Sequence, residues 1–438
     1  MSQRRIFVFW LPLLASWLLM TGEGPVVSAI INRLPNEVIM LAAQGIAVSL
    51  SVFIESPIIN MLSTGTAMVK DHASYVLVRN FTLQWLVLLT IVTIIVAFTP
   101  VFDLVVSGWL QAPPEVAVWV RPGLKIMTFW SAAIGWRRFL QGVLIGFDRT
   151  RYIAYGTAVR LAATALTAIS LAVGTDWAGA IIGPTALMVG VFFEALMATW
   201  AIRPLLKNEL APAAAVSSAE SALTWSALFW FHLPLVGTSA LALSAQPIIA
   251  STLARLANPT QTLAAWPIVF QLMLLLRAPA LAIPEVTIAL LREKDSFDAI
   301  RKFSLRLTGI TLAMTALIAL TPIASFYLYQ VQDAAQDVGQ IARDGLGVFL
   351  FMPPLMVLVS WLRGVLIHVR ATPTVNLGMA VNLATMIVVL VVGVAQQWDG
   401  MVTGALSLTL ALLLEFGFLF WKTQGRLRRP LLRPVPAS

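Results

Sequence analysis

The 438-residue chain contains no cysteine and only three histidines, at positions 72, 232 and 368. Without cysteine, a disulfide framework and a thiolate metal site are excluded, and the scattered histidines do not indicate a metal centre. Charged residues make up only 11%, whereas a soluble domain has roughly 25%. The hydrophobic fraction is 59% and the mean hydropathy is +0.86. Because a bilayer can solvate this much apolar surface, the composition predicts an integral membrane protein.

Motifs that power transport or covalent chemistry are also missing. The sequence has no P-loop, no Gly-rich phosphate cradle and no nucleophile elbow, which ATP hydrolysis or acyl transfer would require. No metal-ligand or acid/base cluster stands out. We therefore expect no enzymatic activity and no cofactor. A facilitator and an exchanger coupled to protons or sodium both stay open.

Apolar runs of about 20 residues, long enough to cross a bilayer, recur along the chain and are separated by short polar or Pro/Gly-containing segments. The first run follows Arg4-Arg5 and resembles a signal peptide, but no clean cleavage site follows it. We interpret it as the first membrane helix. The predicted spans are 7–31, 39–62, 78–101, 122–146, 152–173, 179–202, 226–253, 261–290, 303–328, 343–368, 373–395 and 400–423.

The distribution of Lys and Arg predicts the orientation of these spans. Nineteen of the 29 basic residues fall on the side of the N-terminus, and five lie on the other side. Both termini are therefore expected in the cytoplasm, with the chain in the cell's inner membrane. The net charge of +9 is then a topology signal, so nucleic acid is not an expected partner. The five basic residues predicted on the side opposite the N-terminus are Arg33, Arg121, Lys125, Arg255 and Arg343.

An internal repeat appears when the chain is shifted by 222 residues, and by 221 after one deletion near the fifth span. Matches among Pro, Gly, Arg and Trp at one constant shift do not arise from shared apolar composition. The pairs include Pro12/Pro234, Pro25/Pro247, Arg33/Arg255, Pro57/Pro279, Phe81/Phe303, Glu194/Glu415 and Trp200/Trp421.

The repeat predicts two six-helix lobes with the same orientation in the membrane. We place the N-terminal lobe at 1–203, a cytoplasmic linker at 204–225, the C-terminal lobe at 226–423 and a basic tail at 424–438. Parallel repeats of this kind rock against each other and expose a midplane site to alternate sides. We expect a monomer in the lipid bilayer that moves a small molecule.

Two segments carry a more specific pattern. One has Gly22-Glu23-Gly24-Pro25, Asn32-Arg33, Met40-Leu41-Ala42, Gly45-x-Ala47-x-Ser49-Leu50, Phe53 and Pro57, and the other has Gly400-x-x-x-Gly404 followed by Glu415. This pattern resembles the progressive ankylosis transporter family. That family is a branch of the superfamily containing the multidrug and toxic compound extrusion (MATE) transporters and the lipid-linked sugar flippases. The resemblance implies an all-α fold of twelve membrane helices in two pseudo-twofold related bundles. It also implies export of anions such as citrate, pyrophosphate or nucleotides.

Ionisable residues inside spans are costly and are functional candidates by default. We select Arg137, Arg138, Arg160, Arg277 and Arg363, with Gln44 and Asn382, as substrate-binding candidates. The candidates for coupling or gating are Glu23, Glu55, Glu194 and Glu415. No metal ligand and no catalytic residue is among them.

The repeat separates symmetric from asymmetric charges. Glu194 matches Glu415, whereas Glu55 matches Arg277, Arg160 matches Asn382, and Gln141 matches Arg363. Because scaffold needs are shared by both halves, the asymmetric positions are the better candidates for a solute site. Glu55 and Arg277 either form a pair between lobes or are each satisfied locally.

An excess of embedded arginine favours an anionic substrate, since guanidinium binds carboxylate and phosphate through two parallel hydrogen bonds. Two alternatives stay open. Glu23 in the first span would suit a proton- or sodium-coupled multidrug exporter, and a basic cavity would also suit a lipid-linked oligosaccharide flippase.

Overall fold

The computed structural model describes residues 1–147, 149–210, 223–291, 296–369 and 371–427. Regular secondary structure in these ranges is helical throughout. Positions 211–222 of the predicted linker and 428–438 of the predicted basic tail lie outside the described residues. So do Arg292, Lys294 and Arg370, three of the nineteen basic residues predicted on the side of the N-terminus.

The first half of the chain forms ten α-helices, interrupted by 3-10 turns at Ser56–Ile58 and Met127–Phe129 and a π-helix at Leu104–Trp109. The helices are α1 (Gln3–Thr21), α2 (Glu23–Ile31), α3 (Glu37–Ile54), α4 (Met61–Met68), α5 (His72–Phe98), α6 (Val101–Asp103), α7 (Pro114–Ile126), α8 (Trp130–Gly146), α9 (Arg151–Gly174) and α10 (Gly179–Asn208).

The second half repeats this series, with a π-helix at Phe326–Val331 and a 3-10 turn at Phe349–Phe351. Its helices are α11 (Trp225–Leu243), α12 (Ala245–Leu253), α13 (Pro259–Leu281), α14 (Ile283–Leu290), α15 (Ser296–Leu320), α16 (Ile323–Ser325), α17 (Gln336–Val348), α18 (Met352–His368), α19 (Thr372–Ala395) and α20 (Gly400–Leu427).

The repeat seen in the sequence is present in the backbone. The bounds of α1, α2, α4, α6, α7, α8 and of the first π-helix, Leu104–Trp109, recur 222 residues later without change. Left-handed backbone recurs as well, since Asn36 has φ 59° and Asn258 has φ 50°, while Gln111 has 55° and Asp333 has 53°. The first span of each half breaks after α1 or α11, and Pro25 or Pro247 then lies in the first turn of the next helix, where proline is tolerated.

Eleven helical segments in the described ranges are long and apolar enough to cross a membrane. The predicted span 122–146, which carries Lys125, Arg137 and Arg138, is not among them. This segment matches Gln336–His368, which does qualify as a span. We therefore count it as the twelfth membrane helix.

The chain divides into two compact units. One contains Met1–Thr21, Val269–Leu328 and the chain from Gln340 onward, and the other contains Gly22–Ile268 with Tyr329–Gly339. We call them unit 1 and unit 2. The division cuts across the sequence repeat, so the predicted lobe boundaries stay a prediction about the repeat.

In unit 1, α1 packs against helices of the second half. The indole Nε1 of Trp10 donates to the carbonyl of Pro279 at 3.1 Å, and the ring lies 5.7 Å from that of Phe303 in an edge-on arrangement. The Pro279 carbonyl is available because it lies in the last turn of α13, where carbonyls have no partner within the helix.

Unit 2 contains the matching contacts for α11. His232 Nε2 lies 2.9 Å from the carbonyl of Pro57, and its ring is 5.5 Å from that of Phe81. Since a carbonyl only accepts, Nε2 donates, and Nδ1 accepts from the Thr64 hydroxyl at 2.9 Å. His232, Pro57 and Phe81 each sit 222 positions from their counterparts in unit 1. Each half therefore packs its first helix against the second and third spans of the other half.

Candidate functional site

Seven of the eleven predicted site residues lie in unit 2. Six of them form one buried group, which we call the N-half cluster: Glu23, Glu55, Arg137, Arg138, Arg160 and Glu194. They come from α2, the end of α3, α8, α9 and α10. The cluster therefore joins five segments that are distant in sequence.

Glu194 on α10 is 1% exposed and is the most deeply buried acid of the cluster. Its Oε1 accepts from Arg137 Nη1 at 2.9 Å and from Gln141 Nε2 at 3.1 Å. Arg137 and Gln141 are four residues apart on α8 and so share one face. Arg160 Nη1 lies 3.6 Å from Glu194 Oε2. A buried carboxylate needs such partners because desolvation of the charge is otherwise too costly.

Arg160 on α9 links Glu194 to the second acid, Glu23. Its Nε donates to Glu23 Oε1 at 3.1 Å, and its Nη2 donates to Glu23 Oε2. The Thr164 hydroxyl, one turn further along α9, also donates to Glu23 Oε1 at 2.7 Å. This two-point contact is the fork geometry that guanidinium makes with carboxylates. Arg160 is therefore held from two sides.

Glycines allow α9 and α10 to approach closely enough for this network. A Cβ at Gly190 would lie 2.0 Å from Thr164 Oγ1 and 3.0 Å from the Arg160 carbonyl. A Cβ at Gly156 would contact the Glu194 side chain at 3.4 Å. Thr164 on α9 thus occupies the space that a side chain at Gly190 on α10 would take.

Arg138 differs from its neighbour Arg137. It is partly exposed, and its Nε is buried without a hydrogen-bond partner. Within the described ranges it makes no ion pair. The strongest electrostatic partner of Glu55 is Arg138, followed by Arg137. Trp130 lies beside Glu55, and its buried indole N–H has no hydrogen-bond partner. Arg138 is the cation of the cluster with the most donors to spare.

Unsatisfied buried atoms concentrate in this cluster. Arg137 Nε, Arg138 Nε and Trp130 Nε1 are donors without partners, and Glu55 Oε2 and Glu194 Oε2 are acceptors without partners. Buried polar groups are nearly always hydrogen-bonded in native structures. The unpaired donors on Arg137, Arg138 and Trp130 therefore make this region a candidate oxyanion site.

Unit 1 contains the counterpart of the Glu194 site. Glu415 on α20 is fully buried and accepts from Arg363 Nε at 2.7 Å and from Asn382 Nδ2 at 2.9 Å. Arg363 corresponds to Gln141, and Asn382 corresponds to Arg160. Each half thus surrounds the equivalent glutamate with donors from equivalent helices. The arginine beside Glu415 is Arg363 on α18, whereas Arg137 on α8 and Arg160 on α9 both lie beside Glu194.

The asymmetric positions have a clear physical basis. The alignment of the two sequence repeats identified Arg160/Asn382 and Gln141/Arg363 as asymmetric pairs. The structure places all four residues around the symmetric glutamates, Glu194 and Glu415. Their assignment to substrate binding is a proposal.

The remaining predicted residues lie apart. The Arg277 guanidinium in unit 1 sits 5.5 Å from the Phe270 ring, and its buried Nε has no hydrogen-bond partner. Glu55 belongs to unit 2 and has its own arginine neighbours there, so the Glu55–Arg277 pair stays a prediction. Gln44 on α3 is buried beside Gly183, with its Oε1 unpaired.

Sequence analysis named Gln141 only as the asymmetric match of Arg363, and did not select Gln141, Thr164 or Trp130 as site residues. Two of them carried a usable signal, because Gln141 follows Arg137 by four residues and Thr164 follows Arg160 by four. A polar residue one helical turn from an embedded arginine shares its face and can share its partner. Trp130 gave no comparable signal.

Comparisons with known proteins find structural but not sequence relatives. No protein-family model and no curated protein matches the chain. A MATE-family multidrug resistance transporter in an inward-facing conformation matches with a TM-score of 0.58, 14% identity and coverage of 95% of each chain. The chain therefore has the fold of the MATE-type transporters.

Two further solved structures share this fold. The lipid II flippase MurJ in an inward closed conformation has a TM-score of 0.73 and 14% identity, over 94% of this chain and 87% of that one. A transporter of the MOP (multidrug/oligosaccharidyl-lipid/polysaccharide) superfamily from Pyrococcus furiosus has a TM-score of 0.61 and 14% identity, over 97% and 96%. The binding pocket of that transporter is described as having reversed polarity. The predicted all-α fold is confirmed, whereas the progressive ankylosis branch stays a prediction.

Proposed function

We propose that the protein is an alternating-access membrane transporter that exports small organic or phosphate-bearing anions, of the citrate, pyrophosphate or nucleotide type. The observation that carries this proposal is the set of three unpaired buried donors on Trp130 and on Arg137 and Arg138 of the N-half cluster. The MATE-type fold supports the transport part of the proposal, and the donors support the anion part.

Charge accounting within the cluster explains why Arg138 is the anchor. The cluster contains three arginines and three glutamates. Arg137 and Arg160 are used by Glu194 and Glu23. Arg138 has Glu55 and Glu194 as electrostatic partners, without a hydrogen bond to either in the structure. An oxyanion would supply acceptors for Arg138 and for the Trp130 indole at once.

Unit 1 offers a second cation of the same kind. Arg277 is embedded in α13, and among the described residues no carboxylate lies within ion-pair distance of it. An arginine without a carboxylate in a membrane helix is costly unless a ligand or water solvates it. We propose that Arg277 also contacts substrate.

Transport assays in proteoliposomes test the anion proposal. Flux of radiolabelled citrate, pyrophosphate and nucleotide would be compared for the parent, Arg138→Gln and Arg277→Gln. Arg151→Gln is the matched control, since Arg151 is exposed at the start of α9. A hydrogen bond to a charged group contributes about 1.5–3 kcal/mol, so each site variant should lose at least about tenfold in flux. Unchanged flux of all three anions in both site variants would overturn the proposal.

A lipid-linked oligosaccharide is the second candidate substrate. A lipid-linked pyrophosphate would use the same donors, and the likeness to a lipid II flippase supports this alternative. Scrambling of a labelled lipid-linked sugar by the purified protein, without flux of soluble anions, would favour it.

A cation-coupled multidrug exporter is the third candidate. It would use Glu23, whose carboxylate is held by Arg160 and Thr164. Drug efflux that Glu23→Gln abolishes, together with no anion flux, would favour this alternative. The same assays with and without pH and sodium gradients would distinguish a facilitator from a coupled exchanger. We further propose an inner-membrane monomer with both termini in the cytoplasm.

A further inference from the structure

Two arginines on the face opposite the N-terminus bridge the sequence halves within unit 2. Arg33, in the loop after the first span, donates through Nη2 to the backbone carbonyls of Val331 at 3.0 Å and Gln330 at 3.4 Å. Those carbonyls end the π-helix Phe326–Val331. We call this contact the first latch.

The second latch is made by Arg255, the repeat counterpart of Arg33. Its Nη2 donates to the Trp109 carbonyl at 2.6 Å, and its Nε donates to Gln111 Oε1 at 3.1 Å. The Ser251 hydroxyl donates to the same Trp109 carbonyl at 3.0 Å. Trp109 ends the other π-helix, Leu104–Trp109.

The two latches share one equivalent hydrogen bond, from Nη2 of the arginine to the last carbonyl of a π-helix. Arg33 and Arg255 differ by 222 positions, and so do Trp109 and Val331, whose carbonyls accept from the same guanidinium atom, Nη2. Each arginine therefore reaches from one sequence half to the end of a π-helix in the other half. Because all of these residues belong to unit 2, the contacts lie within one compact body.

Helix-end chemistry explains the choice of arginine. The last carbonyls of a helix have no partner within the helix, and the negative end of its dipole attracts cations. The chain leaves both π-helices through residues with left-handed backbone, Gln111 and Asp333. This turn ends the helical hydrogen bonding and leaves the final carbonyls for the arginine.

We propose that the two latches hold the face opposite the N-terminus closed, and that both must break before the transporter opens there. The inference rests on the proposed alternating access but not on the proposed anion. The contacts are exposed and polar, so water can replace them when they separate. Such contacts suit a gate that opens repeatedly.

The natural absence of cysteine makes cysteine labelling a direct test. Ala112→Cys places a thiol at a position that is 7% exposed and adjacent to Gln111. Labelling by a membrane-impermeant maleimide would be timed in membrane vesicles, with the latch face outward, for this reporter alone and with Arg33→Gln, Arg255→Gln or both. Ala334→Cys, 8% exposed, is the equivalent reporter beside the first latch.

Loss of one latch should increase the labelling rate about fivefold, the factor that corresponds to the typical net contribution of one hydrogen bond. The double variant should be labelled faster than either single variant. Arg121→Gln is the matched control, because Arg121 pairs with Asp103 at 3.0 Å on the same face without bridging the halves. Labelling rates in the double variant equal to those of this control would overturn the proposal. Since labelling needs no substrate, faster labelling without anion flux would count against the proposed substrate and leave the latches standing.

Discussion

Replacement of Glu194 by Gln is the sharpest test of the N-half cluster. The change keeps the size of the side chain and removes one charge from a site that is 1% exposed. Arg160 keeps Glu23 as a partner, whereas Arg137 loses the carboxylate that it hydrogen-bonds. The variant therefore leaves one buried guanidinium without its counter-ion.

The size of the effect follows from burial. The Arg137 side chain is 6% exposed, so water cannot replace the lost carboxylate. Breaking a buried ion pair by removing one partner costs about 3–5 kcal/mol, because an uncompensated buried charge remains. We expect a loss of that size in the free energy of unfolding, measured by denaturant titration of the purified protein in detergent micelles.

Two companion variants turn this loss into a test of mechanism. Removing both charges, with Glu194→Gln and Arg137→Met together, should recover most of the stability, since no unpaired charge is left. The repeat supplies Glu415→Gln as the matched variant. It should cost less, because the Arg363 side chain is 23% exposed and can be hydrated. Equal stability of Glu194→Gln and the parent protein, or no recovery in the double variant, would refute the reasoning.

Two further changes test the local structure. Gly190→Ala should destabilise the protein by about 1–3 kcal/mol through overpacking, since its Cβ would collide with Thr164, whereas Gly174→Ala, with nothing within 4 Å, should have little effect in the same unfolding titration. Asp71 caps α5 by accepting from the Ser74 N–H at 2.8 Å, and these hydrogen bonds lower the pKa of its carboxyl. The cap therefore contributes above the carboxyl's unfolded pKa and is lost as the pH falls through its folded pKa, so Asp71→Ala should cost about 1 kcal/mol at neutral pH and nothing in strong acid.

The fold was predictable because its signals are long and repeated. Apolar runs, loop charge and the 222-residue shift each depend on many residues, so single exceptions do not alter the result. The charged span 122–146 shows the benefit, because its match to Gln336–His368 restores a helix that is not among the eleven candidate spans. The exchange of first helices was not predictable, since a sequence repeat does not specify which half each helix contacts.

The candidate site was predictable only as a set of residues. Embedded charges mark themselves by their cost in lipid, and the unit 2 candidates other than Gln44 do converge. Their pairing depends on helix rotation and on close backbone approach at Gly190 and Gly156, which no periodicity in α9 or α10 reveals. Sequence reasoning also treated asymmetry as a sign of function at positions where the structure shows two ways of satisfying one glutamate.

A narrower use of the repeat follows from this finding. The second half satisfies Glu415 with one arginine and one amide, so the scaffold needs no more than that. The first half has Gln141 hydrogen-bonded to Glu194 and Arg160 3.6 Å from it at the equivalent positions, and adds a hydrogen bond from Arg137. Everything beyond the two equivalent partners is surplus to the shared scaffold. The surplus consists of Arg137, Arg138, Glu23 and Glu55, which correspond to Val359, Ser360, Ala245 and Arg277 in the repeat. Because burying extra charges in a membrane protein is costly, we propose that the surplus has a function, and that Arg138, with its unpaired Nε, is the member that serves it.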